Sequence, residues 1–255
     1  MSEFYNAEMS TKQERMARTK DMVRQRSELM RALSPKRGER ILELGSGNGI
    51  FTRELVDCVC SDGHVIGLDS SEVIIEMARH VCPDGEFVLG DAQDLPFENA
   101  TFDAIVAAQL FCFLNNVDVA LTEAFRVLKP GGRIVILDTD WDTLIWRNSD
   151  PDLMERMLDA YKAVYADAHL PRTLPESMMQ SGFASVAVDS FVVLNTSFAD
   201  DTYARQSAEF AISIMNGSPK FSAEEQESWL EDQERLDRDG GFFFSLNRYI
   251  LSAIK

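Results

Sequence analysis

The chain is short of positive charge, of histidine and cysteine, and of long apolar runs, and each shortage removes a class of function. Its 255 residues hold 25 Lys or Arg against 42 Asp or Glu, a formal net charge of -17. A nucleic-acid substrate is disfavoured, because phosphate binding normally needs a basic face. No apolar stretch approaches the ~20 residues that cross a bilayer. The first thirty residues are polar, charged and helical in pattern, so neither a membrane span nor a secretory signal is expected and cytoplasm is the default location. Four cysteines, Cys58, Cys60, Cys82 and Cys112, lie on or beside predicted core elements, where reduced buried thiols are common. No pair has the spacing of a zinc site, and no metal is expected.

What remains is an ordinary globular composition, 45% hydrophobic and 26% charged, without internal repeat, low-complexity tract or obvious linker. Charge is unevenly placed. Residues 1–40 hold ten basic against six acidic side chains, a balance of +4 that leaves -21 on residues 41–255. A basic N-terminal arm folding over an acidic body is one reading; a solvated helix face is the other.

Hydrophobic periodicity alternates between helix and strand. Met16, Met22, Val23, Leu29, Met30 and Leu33 form a helical stripe from about Thr11 to Leu33, stopped by Ser34-Pro35. A strand opens at Arg40, and Phe51–Cys60 reads as a helix. The strand Val65–Leu68, the helix Ser71–Val81 capped by Ser70 or Ser71, and the strand Glu86–Leu89 follow. Phe102–Ala108 is a fourth strand, Val119–Leu128 a helix, and Lys129-Pro-Gly-Gly132 a turn into the strand Arg133–Asp138. Such βαβ repetition implies a parallel sheet. Beyond Asp138 the pattern loosens: helices are expected at 150–166 and 174–181, a strand at Ala184–Leu194, two helices within 199–238, and a last strand from Phe242 to Ala253.

The most specific stretch is Ile41-Leu-Glu43-Leu-Gly45-Ser46-Gly47-Asn-Gly49. An apolar strand that ends in an acid and three alternating glycines builds a nucleotide-binding turn, because glycine lets the backbone approach a ligand closely. Asp69 ends the second apolar run twenty residues after Gly49, the distance that one helix and one turn need to return it beside the glycines, where it can accept two ribose hydroxyls.

Four ordered landmarks resemble the class I S-adenosylmethionine-dependent methyltransferases, in the small-molecule branch of the ubiquinone and menaquinone C-methyltransferases, over roughly residues 35–140. They are Glu43-Leu-Gly45-Ser-Gly47-Asn-Gly49, Asp69-Ser70-Ser71, Gly90-Asp91-Ala92-Gln-Asp-Leu-Pro96-Phe97 and Arg126-Val-Leu-Lys-Pro-Gly-Gly132. The resemblance implies a doubly wound, mostly parallel seven-stranded Rossmann-like sheet with helical lid insertions after strands five and six. Residues 1–34 are then an arm, 35–142 the cofactor-binding core, 143–182 and 196–240 the lid, and 183–195 and 241–255 the last strands of one domain.

It also implies S-adenosylmethionine as cofactor. Gly45, Ser46, Gly47 and Gly49 would take its methionine part, with Glu43 bridging to the amino group or ordering the loop. Asp69, with Ser70, would hold the ribose, Asp91 and Ala92 the adenine, and Ala108 and Gln109 would offer carbonyls to the amino group. The arm could reach the cofactor carboxylate, and Phe4 and Tyr5 close over the site. A tight ligand-free turn for the glycines and a turn cap for Asp91 are the bland readings. A nicotinamide oxidoreductase fits less well, since its fingerprint wants glycine where Ile50 stands. An amine methyltransferase and a catalytically inactive cofactor- or partner-binding module stay open.

Methyl transfer mainly needs alignment and exclusion of water, so a dedicated base is dispensable. Candidates for one are Asp140, within Asp138-Thr-Asp140-Trp-Asp142, and His169, one of three histidines. If the strand continues, the three aspartates share a face and their repulsion raises one pKa. Read as a calcium loop, the segment fails, with Thr143 and Ser149 where glycine and glutamate belong. Helix-capping aspartates are the plain alternative. Phe111, Phe113, Trp141, Trp146, Tyr161, Tyr165, Phe198 and Phe210 suit a flat or apolar acceptor, with Phe113, Trp141 and Tyr165 the candidate contacts; ordinary core packing is the competing reading. The expected partner is a small-molecule acceptor, and a homodimer is compatible with the sequence.

Overall fold

The computed structural model of the chain describes residue 12 and residues 14–255, so Phe4 and Tyr5 lie outside the described residues. Helix α1 spans Lys20–Leu33 rather than the whole periodic run from Thr11. Residues 14–17 are helical, but the path breaks at Arg18-Thr19, and the Thr19 hydroxyl accepts the Met22 N–H as an N-cap. That oxygen satisfies one of the open donors at a helix start. Leu29 and Leu33 point inward, whereas Val23, expected on the same stripe, is 47% exposed. Asp21 and Gln25 are buried instead.

Five parallel strands follow: β1 (Arg40–Leu44), β2 (His64–Asp69), β3 (Glu86–Leu89), β4 (Phe102–Ala108) and β5 (Leu128–Thr139). β7 (Ala184–Asn195) and β8 (Phe244–Ile254) complete the expected seven, and both of β8's edges are antiparallel pairings, with β5 and with β7. An eighth, two-residue strand, β6 (Ile145–Trp146), pairs with Ser245 and Phe244. The order is β3-β2-β1-β4-β5-β8-β6, with β7 on β8. Lys129-Pro-Gly-Gly does not stand apart as a turn: Leu128 already pairs with Phe102, a register shift follows, and pairing resumes at Ala104 with Arg133.

Period-two alternation splits the core into two layers. Ile41, Val65, Ala104, Val106, Val135 and Leu137 face one cluster, which includes α1 and helix α2 (Ile50–Val59). Leu42, Leu44, Ile66, Ile105, Ile134 and Ile136 face the other, with helix α4 (Val117–Val127). Strands buried on both faces read as continuous apolar runs, which is why they were recognisable. Helix α3 (Glu72–Val81) packs its Ile75 and Ala78 with Phe87 at the β3 edge.

The C-terminal helices divide between these layers. α5 (Pro151–Lys162), α7 (Tyr203–Asn216) and α8 (Ala223–Arg238) join the α1 side through Met157, Tyr161, Ala208, Met215 and Trp229. α6 (Leu174–Gln180), which the sequence assigned to the lid, puts Leu174 and Met178 in the opposite layer with α4. Cys82 and Cys112 are buried as expected; Cys58 and Cys60 are exposed, on either side of the buried Val59 at the end of α2.

Candidate active site

The cleft is built where β1 and β2 end. Gly45 and Ser46 donate their N–H groups to Leu68 O at 2.8 and 3.0 Å, and Gly47 N–H reaches Asp69 Oδ2 at 3.1 Å. The three glycines have φ of +69°, +53° and +78°, a region that L side chains rarely adopt. A Cβ on Gly49 would lie 3.0 Å from the Ala78 backbone, so this glycine lets α2 approach α3. A Cβ on Gly47 would meet nothing within 4 Å. Its bare face opens on a cleft of about 330 Å³.

Glu43, Gly45, Ser46, Gly47, Asp69, Ser70, Ala108, Gln109 and Phe113 all line that cleft. Two of them carry buried polar atoms without a partner, Ser46 Oγ and Gln109 Nε2. Gln109 is held in a left-handed conformation, φ 55°, by its N–H to Leu137 O at 2.8 Å, while its Oε1 accepts from Thr139 Oγ1 at 2.8 Å. An orphaned donor, an orphaned hydroxyl and an open glycine face fit a polar ligand segment laid along the loop. Gly49 supports the loop from behind.

The acids are tuned by burial. Glu43 is 4% exposed, accepts a 2.5 Å hydrogen bond from Thr52 Oγ1, and is pushed up to about 8 by desolvation. Asp69 is also raised by burial, against the backbone N–H groups that its two oxygens accept, Gly47 on one and Ser71 on the other. It fastens the glycine loop to the end of β2.

Four further candidates stand elsewhere. Asp91 is exposed and closes its own turn, Oδ1 accepting Gln93 N–H at 2.8 Å, and Ala92 is buried beside it. Neither lines the cleft. Asp140 and His169 come together, but in an ion cluster outside the cleft lining. Asp140 accepts a bidentate pair from Arg172 at 2.7 and 2.9 Å, and His169 Nδ1 is 3.3 Å from Asp142.

The continued-strand expectation is corrected here: β5 stops at Thr139, and Asp140 caps a short 3-10 turn over Trp141–Thr143 by accepting Asp142 N–H. Asp140 and Asp142 share Arg172 and His169, while Asp138 stands apart on Cys112 N–H. Asp138 does rise to about 6, but through full burial against Cys112 rather than by repulsion. Asp140, Asp142 and His169 offer ligand atoms within 4.8 Å of one another, yet Arg172 and Lys162 already balance those carboxylates.

Trp141 and Tyr165 stack, with ring centroids 4.3 Å apart and planes 17° apart, and Phe113 touches Tyr165 at 5.0 Å. Only Phe113 of the three reaches the cleft; the others form the wall behind it.

The sequence brings the arm toward the cofactor but singles out none of the residues that roof the cleft. Met16, Ala17, Met22, Gln25, Arg26 and Leu29 line the cleft from the N-terminal helical segments. The available signal was Gln25 in the apolar stripe, a polar residue on a face otherwise turned to the core. The basic arm does meet the acidic body: Arg15 pairs with Glu209 at 3.1 Å, Arg26 with Glu54 at 2.9 Å, and Lys20 with Asp201 at 3.5 Å.

Known proteins bear on this geometry. A family described as "Methyltransferase domain" matches residues 42–136, the stretch that supplies the glycine loop, Asp69 and Gln109. The chain is 38% identical over 126 residues to demethylmenaquinone methyltransferase of Lactococcus lactis, covering 47% of this chain and 49% of that one. It is 29% identical over 234 residues to an uncharacterized 37.1 kDa protein in transposon TN4556 of Streptomyces fradiae, covering 89% of this chain and 66% of the other. The chain thus spans about half the length of the methyltransferase relative and two thirds of the transposon protein. Among solved structures, the YcgJ protein of Bacillus subtilis superposes with a TM-score of 0.62 at 18% identity, covering 91% of this chain and 98% of that one.

The match over residues 42–136 is to a methyltransferase domain, and the doubly wound, mostly parallel sheet is the fold shared with that solved structure. Among the described residues no helix is long and apolar enough to cross a membrane.

Proposed function

We propose that the chain transfers a methyl group from S-adenosylmethionine to a small, apolar or aromatic acceptor such as a quinol or phenol. The observation that carries this reading is the cleft whose floor is the glycine loop and whose wall holds two unpartnered buried groups, Ser46 Oγ and Gln109 Nε2. The cofactor supplies an electrophilic methyl on a sulfonium, which a nucleophile takes by in-line displacement. Everything else falls to the chain.

The open face of Gly47 and the orphaned groups of Ser46 and Gln109 take the methionine part. Asp69 keeps lone pairs beyond its two backbone contacts, enough to accept ribose hydroxyls. The α1 roof excludes water, and Phe113 leads from the cleft to the Tyr165–Trp141 stack. Positioning and water exclusion can supply on the order of 7–11 kcal/mol in favourable cases, so the reading needs no dedicated base. Asp140 and His169, tied to Arg172 and Asp142, are read as anchors of the segment after β5. The apolar wall and the demethylmenaquinone methyltransferase relatives favour an aromatic acceptor over an amine.

Calorimetry with S-adenosylmethionine and with NAD tests the reading. Binding of the first and not the second is expected; the reverse result sinks it.

A further inference from the structure

The N-terminal roof hides a cation that the cofactor does not need. Arg248, on β8 opposite Thr139, is 2% exposed, and among the described residues no carboxylate oxygen lies within ion-pair distance of its guanidinium. Its Nη1 contacts Gln25 Oε1 and, at 3.2 Å, Met22 Sδ; its Cζ stands 4.5 Å over the Tyr203 ring; its Nε has no partner. Ser207, buried one helical turn beyond Tyr203 on α7, turns its hydroxyl to the Tyr161 phenol rather than to the cation. A buried charge without an opposite charge is costly to the fold, and such a charge is kept where something else repays it. Both Gln25 and Met22 line the cleft, so the guanidinium sits one side-chain layer behind its wall. The phenol of Tyr161 is pushed well above its ordinary value by burial, and the buried carboxylate of Asp21 is taken up by Tyr203 N–H and Asn195 Nδ2 rather than by the cation.

We infer that Arg248 is a specificity-determining residue that binds an oxyanion on the methyl acceptor, a carboxylate, phenolate or enolate attached to an apolar or aromatic body. The inference rests on the methyl-transfer reading and deepens it. The Gln25 amide holds the guanidinium in the free protein. The acceptor oxygen replaces that amide and takes a charge-assisted hydrogen bond from the guanidinium, while the ring of the acceptor lies against Met22 and the aromatic wall. A planar guanidinium stacked on Tyr203 is already oriented for this contact.

The test uses the full chain saturated with S-adenosylhomocysteine and two probes, 1-hydroxy-2-naphthoate and its neutral methyl ester. The native chain should bind the acid at least about tenfold more tightly than the ester, the scale of one charged hydrogen bond. Arg248→Met should bind the two alike, keep its affinity for S-adenosylhomocysteine, and melt at a higher temperature because an unpaired buried charge is gone. Equal affinity of the native chain for acid and ester, no binding of the acid at all, or an undiminished preference for the acid in Arg248→Met would overturn the inference. A native chain that binds acid over ester but not S-adenosylhomocysteine would remove the methyl-transfer reading and leave Arg248 an anion site of another kind.

Discussion

Glu43 and Thr52 share a hydrogen bond of 2.5 Å beneath the glycine loop, joining the end of β1 to the first turn of α2 at the nearly buried floor of the cleft. The bond favours the charged carboxylate, but burial opposes it more strongly and lifts the acid from 4.5 to about 8. A folded-state value above the unfolded one means that the folded protein retains a proton which the unfolded chain has lost. Stability contributed by this group is therefore fully present below pH 4.5 and is lost as pH rises toward 8. Replacing Glu43 with Gln should flatten the fall in stability over that window, read as urea midpoints at several pH values. A slope as steep as that of the native chain would show that Glu43 is not its source.

Asp69 tests the cleft from the other side. With one oxygen on Gly47 N–H and the other on Ser71 N–H, the carboxylate both shapes the loop and faces the cleft. Asp69→Ala removes both and should weaken cofactor binding by about tenfold or more, the worth of one or two hydrogen bonds to a charged group. Calorimetry on a variant with native circular dichroism separates binding from folding. Unchanged affinity would end the ribose assignment.

Gly47 and Gly49 separate binding from packing most sharply. At Gly49 a Cβ would press on the Ala78 backbone at 3.0 Å with φ at +78°, so Gly49→Ala should cost about 1–3 kcal/mol of stability. At Gly47 no atom stands in the way, and Gly47→Ala should lose only about 1 kcal/mol of backbone strain while its methyl occupies ligand space. The two variants should therefore trade places between a melting curve and a binding isotherm. Equal behaviour in both assays would contradict the geometry.

How much of this was legible follows from what each element needs. β1, β2, β4 and β5 are buried on both faces, so their apolar runs announce themselves, and the glycine loop is fixed by local backbone demands that sequence records directly. The break at Thr19 is a local signal too, but a single hydroxyl cannot outweigh a long apolar period until its N–H partner is known. Nor did the sequence show that Gln25 roofs the cleft or that Arg248 stands behind it, because those residues are separated by 223 positions and meet only through the sheet. The same holds for Asp140. Its pairing with Arg172 is a tertiary contact across 32 residues, and without it a strand-end aspartate resembles a free base.

The Asp140 cluster has its own test. Arg172 donates to both Asp140 and Asp142, and Lys162 reaches Asp142 at 3.3 Å, so the carboxylates that a cation would use are already matched. Magnesium, calcium or zinc should leave the melting temperature of the native chain unchanged, whereas Arg172→Ala should lower it and leave cofactor affinity intact. A melting temperature that climbs with added metal would reassign the cluster to a cation site.

The stack behind the cleft distinguishes packing from contact with an acceptor. Trp141 is 3% exposed and lies against Tyr165 at 4.3 Å and Tyr161 at 5.3 Å, so Trp141→Ala should cost about 3–5 kcal/mol through the void it leaves. Tyr165→Phe keeps the ring and its contact with Phe113 while removing the hydroxyl. If Tyr165 acts by stacking alone, that variant should match the native chain in stability and in binding of an aromatic probe, and Tyr165→Leu should lose both. A phenylalanine variant that folds normally but binds the probe less tightly would give the hydroxyl a direct role, placing Tyr165 among the groups that touch the acceptor.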